Sequence, residues 1–178
     1  MQTTVESSIT FSGVGLHSGK SVSLCIKPAF KNHGILFKRK DIEIGNPFVR
    51  ARWDYVSKTT LCTRVMNEDG TAISTIEHLM AALAGCGVSN ALIEIDSEEV
   101  PILDGSAAPF VKGILETGLK IISPSSRIIK ITRPVIFENQ FGWARLSPFK
   151  RPEMEYFIDF DDLVIGKQSK ILNMSNGS

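Results

Sequence analysis

The stretch Ile9–Pro28, ITFSGVGLHSGKSVSLCIKP, decides between two folds. Its centre invites comparison with a phosphate-binding loop, G-x-x-x-x-G-K-[ST]. With Gly19-Lys20-Ser21 as the end of that pattern, glycine is required at 14, where Val14 stands. Ser21 to Lys27 is moreover a β-rich run closed by Pro28, so no helix N-terminus follows to cradle a phosphate. Ser8 to Phe11 is β-rich as well. The stretch therefore reads as strand, tight glycine-rich loop displaying Leu16 and His17, and strand, which points to an α+β sheet and away from a P-loop nucleotide hydrolase.

Working outward, short strands are expected around Gly34–Lys38 and Thr60–Val65, before a turn at Asn67-Glu68-Asp69-Gly70. A helix is expected over 75–84, where Ile76, Leu79, Met80 and Leu83 recur at i, i+3, i+4 and i+7 and Gly85 and Gly87 supply the stop. Ala91–Asp96 reads as a strand and Pro101–Gly105 as a loop. A second helix then runs from about Ala107 to Leu119, capped by Ser106, with Pro109 in its first turn and Phe110, Val111, Ile114 and Leu115 as its buried stripe.

Residues 1–122 thus form one α+β domain, 123–127 a linker and 128–178 an incomplete second domain. Ile131–Pro148 parallels Ile9–Pro28 as strand, loop, strand and proline, which suggests a repeat. The fold class is α+β: two similar units with helices packed on a β-sheet, the second cut to its first strands. Over 128–165 the expected β structure has an apolar face, including Ile129, Ile131, Val135, Phe137, Trp143, Leu146, Phe157 and Ile158, that missing helices would cover and that favours self-association. Gln168 to Ser178 lacks any pattern and reads as a frayed polar tail.

Composition narrows the function. Hydrophobic residues make up 43% of the 178, enough for a core, and 20 basic against 19 acidic residues leave a net charge of +1. With no run of either sign, neither nucleic acid nor an anionic membrane is implied as a partner. No apolar run reaches the ~20 residues that span a bilayer, and the N-terminus has no signal-peptide pattern, so the expected location is the cytoplasm. Cys25, Cys62 and Cys86 are scattered and read as reduced, mostly buried thiols.

The chemistry-bearing residues stand at the start of the first helix, Glu77 and His78. Ser74-x-x-Glu77 has the spacing of a capping box, which would make Glu77 structural. His78 lies almost opposite the apolar stripe and is expected to face water, a ligand or another domain. A carboxylate and a histidine side by side could also serve a zinc hydrolase, but IEHLMAA fits neither H-E-x-x-H nor H-x-x-E-H. The residues alone leave both readings of Glu77 open.

Taken together, GVGLHSGK at 13–20, TTLCT at 59–63, STIEHLMAALAG at 74–85 and VPILDGSAAPFV at 100–111 closely resemble one family, in order from about Ser8 to about Lys167. It is the zinc-dependent UDP-3-O-acyl-N-acetylglucosamine deacetylases, which carry out the committed step of lipid A synthesis in Gram-negative bacteria. The family fold has two similar α+β domains with the active site between them. The resemblance implies Zn2+ as cofactor, His78 as a zinc ligand and Glu77 as the general base. It places Leu16, His17, Thr60, Leu61 and Cys62 near the substrate, and gives Asp104 either a substrate contact or an orienting, loop-capping role. The family's remaining ligands have no counterpart here, since no histidine follows His78, and KILNMSNGS at the end no longer resembles the family. The expectation is an amino-terminal part with an incomplete site. A noncatalytic remnant or UDP-sugar-binding module is the competing reading.

Overall fold

Alternating apolar positions build the central sheet. In the computed structural model, which describes residues 1–173, the first unit runs from Met1 to Ser126 and a second begins at Arg127. Strand β1 is Gln2–Val5, β2 Ile9–Val14 and β3 Ser21–Pro28; β4 Ile35–Arg39, β5 Phe48–Arg50, β6 Val56–Lys58, β7 Arg64–Met66 and β8 Ala72–Ile73 follow. Helix α1 is Glu77–Gly85, then come β9 Ala91–Ile95, helix α2 Ala108–Thr117 and β10 Leu119–Ser123.

Five strands pair in the order β2-β3-β9-β4-β5, all antiparallel except β9 beside β4. The opening stretch is the hairpin expected of it, with Ile9 opposite Ile26 and Val14 opposite Ser21, so its ladder runs further into the glycine-rich loop than the sequence suggested. Val22, Leu24 and Ile26 of β3 and Ala91, Ile93 and Ile95 of β9 point to one buried face, the period-2 consequence of pleating. On that core sit Ile76, Leu79 and Leu83 of the α1 region and Phe110 and Ile114 of α2. Truncating Leu79, which has no exposed surface, to alanine should cost about 2–5 kcal/mol. Helix α2 lies so close to β2 that a Cβ at Gly113 would come within 2.7 Å of the Phe11 ring, and Phe11 meets Phe110 edge to face at 4.9 Å.

Several expectations need correction. Thr60–Thr63 is loop, and the strand there is Arg64–Met66 in a separate three-stranded sheet, β6-β7-β8. Leu115 stays 62% exposed, because the α2 stripe is narrower than its spacing implied. Ser123 belongs to β10, which pairs antiparallel with β1, a long-range ladder that ties the start of the chain to the end of the unit. The three cysteines are free but only half-buried.

The second unit holds two hairpins. Strands β11 (Val135–Asn139) and β12 (Gly142–Leu146) form the first, and β13 (Glu153–Asp159) and β14 (Lys167–Asn173) the second. Residues 128–134 carry no strand, so Ile129 and Ile131 lie outside the β structure. Strand β14 corrects the frayed tail: polar Lys167–Asn173 pairs in full register with β13 because backbone ladder bonds, not apolar burial, hold it. The rest of that tail, 174–178, lies outside the described residues. Trp143 and Phe157 meet at 6.4 Å between ring centroids, and both remain more than half exposed.

Candidate functional site

Local backbone geometry explains why Glu77 does not cap its helix. Ser74 is held as a β-bridge to Glu99, donating its N–H to Glu98 O at 2.9 Å and accepting from Val100 N at 3.1 Å. The chain then turns sharply at Thr75, whose φ of +58° is a left-handed value that β-branched residues rarely adopt. Helical geometry begins at Ile76, and no side chain caps α1. The capping box is therefore overturned: Ser74 is bound into a strand contact before the turn and cannot serve as N-cap.

The Glu77 carboxylate reaches sideways instead. Its Oε2 accepts the Thr63 N–H at 3.0 Å, while Ile76 N–H donates to Thr63 O at 3.3 Å, so the loop 59–63 is fastened at both edges of Thr63 to the start of α1. Oε1 of Glu77 has no protein hydrogen bond among the described residues. Beside it, His78 is half-buried, not fully turned to solvent, and its Nδ1 is buried with no hydrogen-bond partner among the described residues. An orphaned buried polar atom of this kind costs about 1–3 kcal/mol.

A second carboxylate organises the glycine-rich hairpin and the turn before α1. Glu99, 2% exposed, accepts from His17 N–H at 3.0 Å (Oε1), from Ser18 N–H at 2.8 Å (Oε2) and from the Thr75 hydroxyl at 2.8 Å (Oε1). Burial by itself would push this carboxyl up, but the His17 N–H, the Ser18 side chain, the Thr75 hydroxyl and the Ser18 N–H together hold it down at about 2. One buried anion thus joins the glycine-rich hairpin to the strained turn that launches α1. Gly15 is glycine for the same reason, since a Cβ there would overlap Ser18 Oγ and the Glu99 carboxylate. Neighbouring Glu98 is held below the usual carboxylate range mainly by its hydrogen bond to Lys20, whose Nζ stands 2.8 Å away.

His17, Thr60, Leu61 and Cys62 line one cavity of about 330 Å³, together with Ser18, Lys58, Arg64, Ser74, Glu98 and Glu99. The residues singled out from the sequence on two separate loops are thus brought together, whereas Glu77 and His78 do not line the cavity; Glu77 is tied to its loop only through Thr63. Leu61 has φ +63° and is 85% exposed, an apolar side chain presented by a strained loop. Leu16 is next in the chain to His17 and exposed, but does not line the cavity. Neither does Asp104: its Oδ1 accepts from Ser106 N–H at 2.9 Å and Ser106 Oγ–H at 2.8 Å, and Ser106 Oγ accepts from Ala108 N–H at 3.1 Å. Asp104 therefore shapes the entry to α2.

Sequence reasoning missed Glu99, Thr75, Lys58 and Arg64. Glu99 left one trace, the glycine at 15, which signals that something approaches the backbone closely. Chemically, the site combines a carboxylate with one free oxygen, an unpartnered imidazole nitrogen and a cavity wall carrying cations. It falls short as a metal centre: among the described residues no three His, Cys, Asp or Glu side chains are grouped to hold an ion. A hydrolytic zinc takes about three protein ligands, so His78 alone does not hold one.

Comparison with known proteins matches residues 2–178 to the family model LpxC, described as UDP-3-O-acyl N-acetylglycosamine deacetylase. The match corrects the expectation that resemblance ends near Lys167. A UDP-3-O-acyl-N-acetylglucosamine deacetylase of Shewanella frigidimarina is 44% identical over 181 residues, spanning 99% of this chain and 58% of the relative. Similarly named proteins of Histophilus somni and Photobacterium profundum are 42% and 41% identical, covering 93% and 99% of this chain and 54% and 59% of their own lengths. The chain spans somewhat more than half the length of the curated relatives it matches.

Proposed function

The chain belongs to the UDP-3-O-acyl-N-acetylglucosamine deacetylase family, and from that premise we propose that it serves the hydrolysis of the N-acetyl group of UDP-3-O-acyl-N-acetylglucosamine in lipid A biosynthesis. The observation that carries this reading is the placement of Glu77. Its Oε2 is anchored by Thr63 N–H and its Oε1 is left free beside the cavity loop. A carboxylate so fixed can take the proton of an attacking water as the water oxygen bonds to the acetamide carbonyl carbon. The C–N bond then breaks, acetate departs and the sugar nitrogen gains the proton. General-base help of this kind contributes about 10² to 10⁴ in rate.

His78 is proposed as one ligand of the family's zinc. Because the described residues bring no further grouped donors, the remaining ligands come from outside them, and the role proposed for Glu77 is proton transfer alone. His17, Thr60, Leu61 and Cys62 would line the substrate, with Leu16 and Asp104 at its margin. A nucleotide-sugar substrate places the reaction in the cytoplasm, and the exposed apolar side chains of the second unit would drive self-association, read as concentration-dependent sedimentation.

The test is a chimera in which residues 2–178 replace the matching portion of the Shewanella frigidimarina relative. It should bind zinc and release acetate from UDP-3-O-acyl-N-acetylglucosamine, and His78→Ala should lower metal content as well as rate. A folded chimera that binds the UDP-sugar without releasing acetate would overturn the enzymatic reading in favour of a noncatalytic UDP-sugar-binding module.

A further inference from the structure

Two cations on the cavity wall have no assigned task. Lys58 on β6 and Arg64 on β7 are cross-strand partners in an antiparallel pair, next to a register shift between Val56 and Lys58, and both line the cavity beside His17 and Thr60. Directly opposed residues share a face with Cβ atoms about 4.5–5.5 Å apart, and like charges in that relation destabilise the sheet. Neither is paired with a carboxylate: no ion pair within 4.0 Å involves either one among the described residues. The two acids that line the same cavity are committed elsewhere: Glu98 to Lys20 at 2.8 Å, and Glu99 to the His17 and Ser18 N–H groups and Thr75. The charge of Arg64 reaches Glu98 only as one of the weaker influences on that carboxyl. Arg64 Nε is buried with no hydrogen-bond partner among the described residues. The loop joining the two cations is short and strained at Leu61, which limits how far they can separate.

We propose that Lys58 and Arg64 form an oxyanion-binding pair at the rim of this cavity, and that it receives the diphosphate of a nucleoside-diphosphate sugar. The guanidinium fork can take two phosphate oxygens side by side, and the flexible ammonium adds a point charge from the facing strand. A bound anion removes the repulsion between the two cations and gives Arg64 Nε an acceptor. The identity of the anion rests on the deacetylase reading; the existence of the pair does not.

Inorganic pyrophosphate is the first probe, titrated into the full chain at low and moderate salt and read by calorimetry. Wild type should bind with an affinity that falls as salt rises, and the folded double variant Lys58→Gln/Arg64→Gln should bind at least tenfold more weakly. Lys58→Gln alone should raise the thermal midpoint without ligand, because it removes the like-charge contact. Binding by the double variant within twofold of wild type overturns the pair. In the chimera, the two substitutions should raise KM for the UDP-sugar at least tenfold while kcat is retained. An active chimera whose KM ignores both residues overturns the diphosphate assignment and leaves the deacetylase reading intact. An inactive chimera that still loses pyrophosphate binding with the pair refutes the deacetylase reading and supports the anion site.

Discussion

Replacing Glu99 with glutamine should remove a large part of the first unit's stability. An ordinary glutamate titrates near 4.5, and Glu99 is held at about 2 by backbone N–H groups and hydroxyls that favour its charged form over the opposing effect of burial. At about 1.36 kcal/mol per pH unit that difference is roughly 3 kcal/mol. Glutamine keeps the shape but loses the charge, and turns an amide NH2 toward the His17 or Ser18 N–H, a donor against a donor that costs about 1 kcal/mol more. A loss of about 3–4 kcal/mol is therefore expected, against total stabilities of about 5–15 kcal/mol. Because both helices lie in the first unit, helical far-UV circular dichroism during urea unfolding reads it directly, and the midpoint should fall by about 1–3 M. The sign with pH follows from the depressed value. The contribution is complete above the unfolded value near 4.5 and disappears as pH falls through about 2. Wild type and variant should thus converge in acid. Other depressed acids, Asp41, Glu94 and Glu98, are present in both proteins and cancel. A loss under about 1 kcal/mol, or a stability gap that does not close below pH 4.5, would refute Glu99 as the charged anchor.

Gly15→Ala should destabilise by about 1–3 kcal/mol, since its Cβ overlaps the Glu99 carboxylate and Ser18 Oγ; in a double-mutant cycle with Glu99→Gln the losses should be strongly non-additive. Leu61→Gly should raise stability by roughly 0.5–1 kcal/mol in urea unfolding, because the φ of +63° costs leucine more than glycine and the exposed side chain loses little burial. In the chimera the same change should raise KM, if Leu61 meets the substrate as proposed, and an unchanged KM would exclude it.

What the sequence made legible was local. The opening hairpin could be read because Val14 breaks the phosphate-loop pattern and β-rich runs flank it, and α1 because four apolar residues hold one helical face. What stayed hidden depended on distant partners. Gln2–Val5 and Leu119–Ser123 make a ladder only with each other, and neither short run carries a signal of its own. Nothing local distinguishes Glu99 from the adjacent Glu98, and only the fold buries it under the glycine-rich turn. The capping box failed for a related reason: its spacing was correct, but the Ser74 to Glu99 bridge and the left-handed Thr75 claimed the residues first. Glu77 was thereby released from helix capping by backbone geometry that no local pattern encodes.

The most direct test of the account is Glu77→Gln in the chimera, with stability and turnover measured on the same preparation. The amide oxygen of glutamine can still accept the Thr63 N–H that Glu77 Oε2 accepts at 3.0 Å, so unfolding should shift by no more than about 1 kcal/mol. Glutamine cannot take a proton from water, so acetate release should fall by about 10² to 10⁴ with zinc content unchanged. A variant that retains wild-type turnover would contradict the assignment of Glu77 as the base and return it to a purely structural role beside the 59–63 loop.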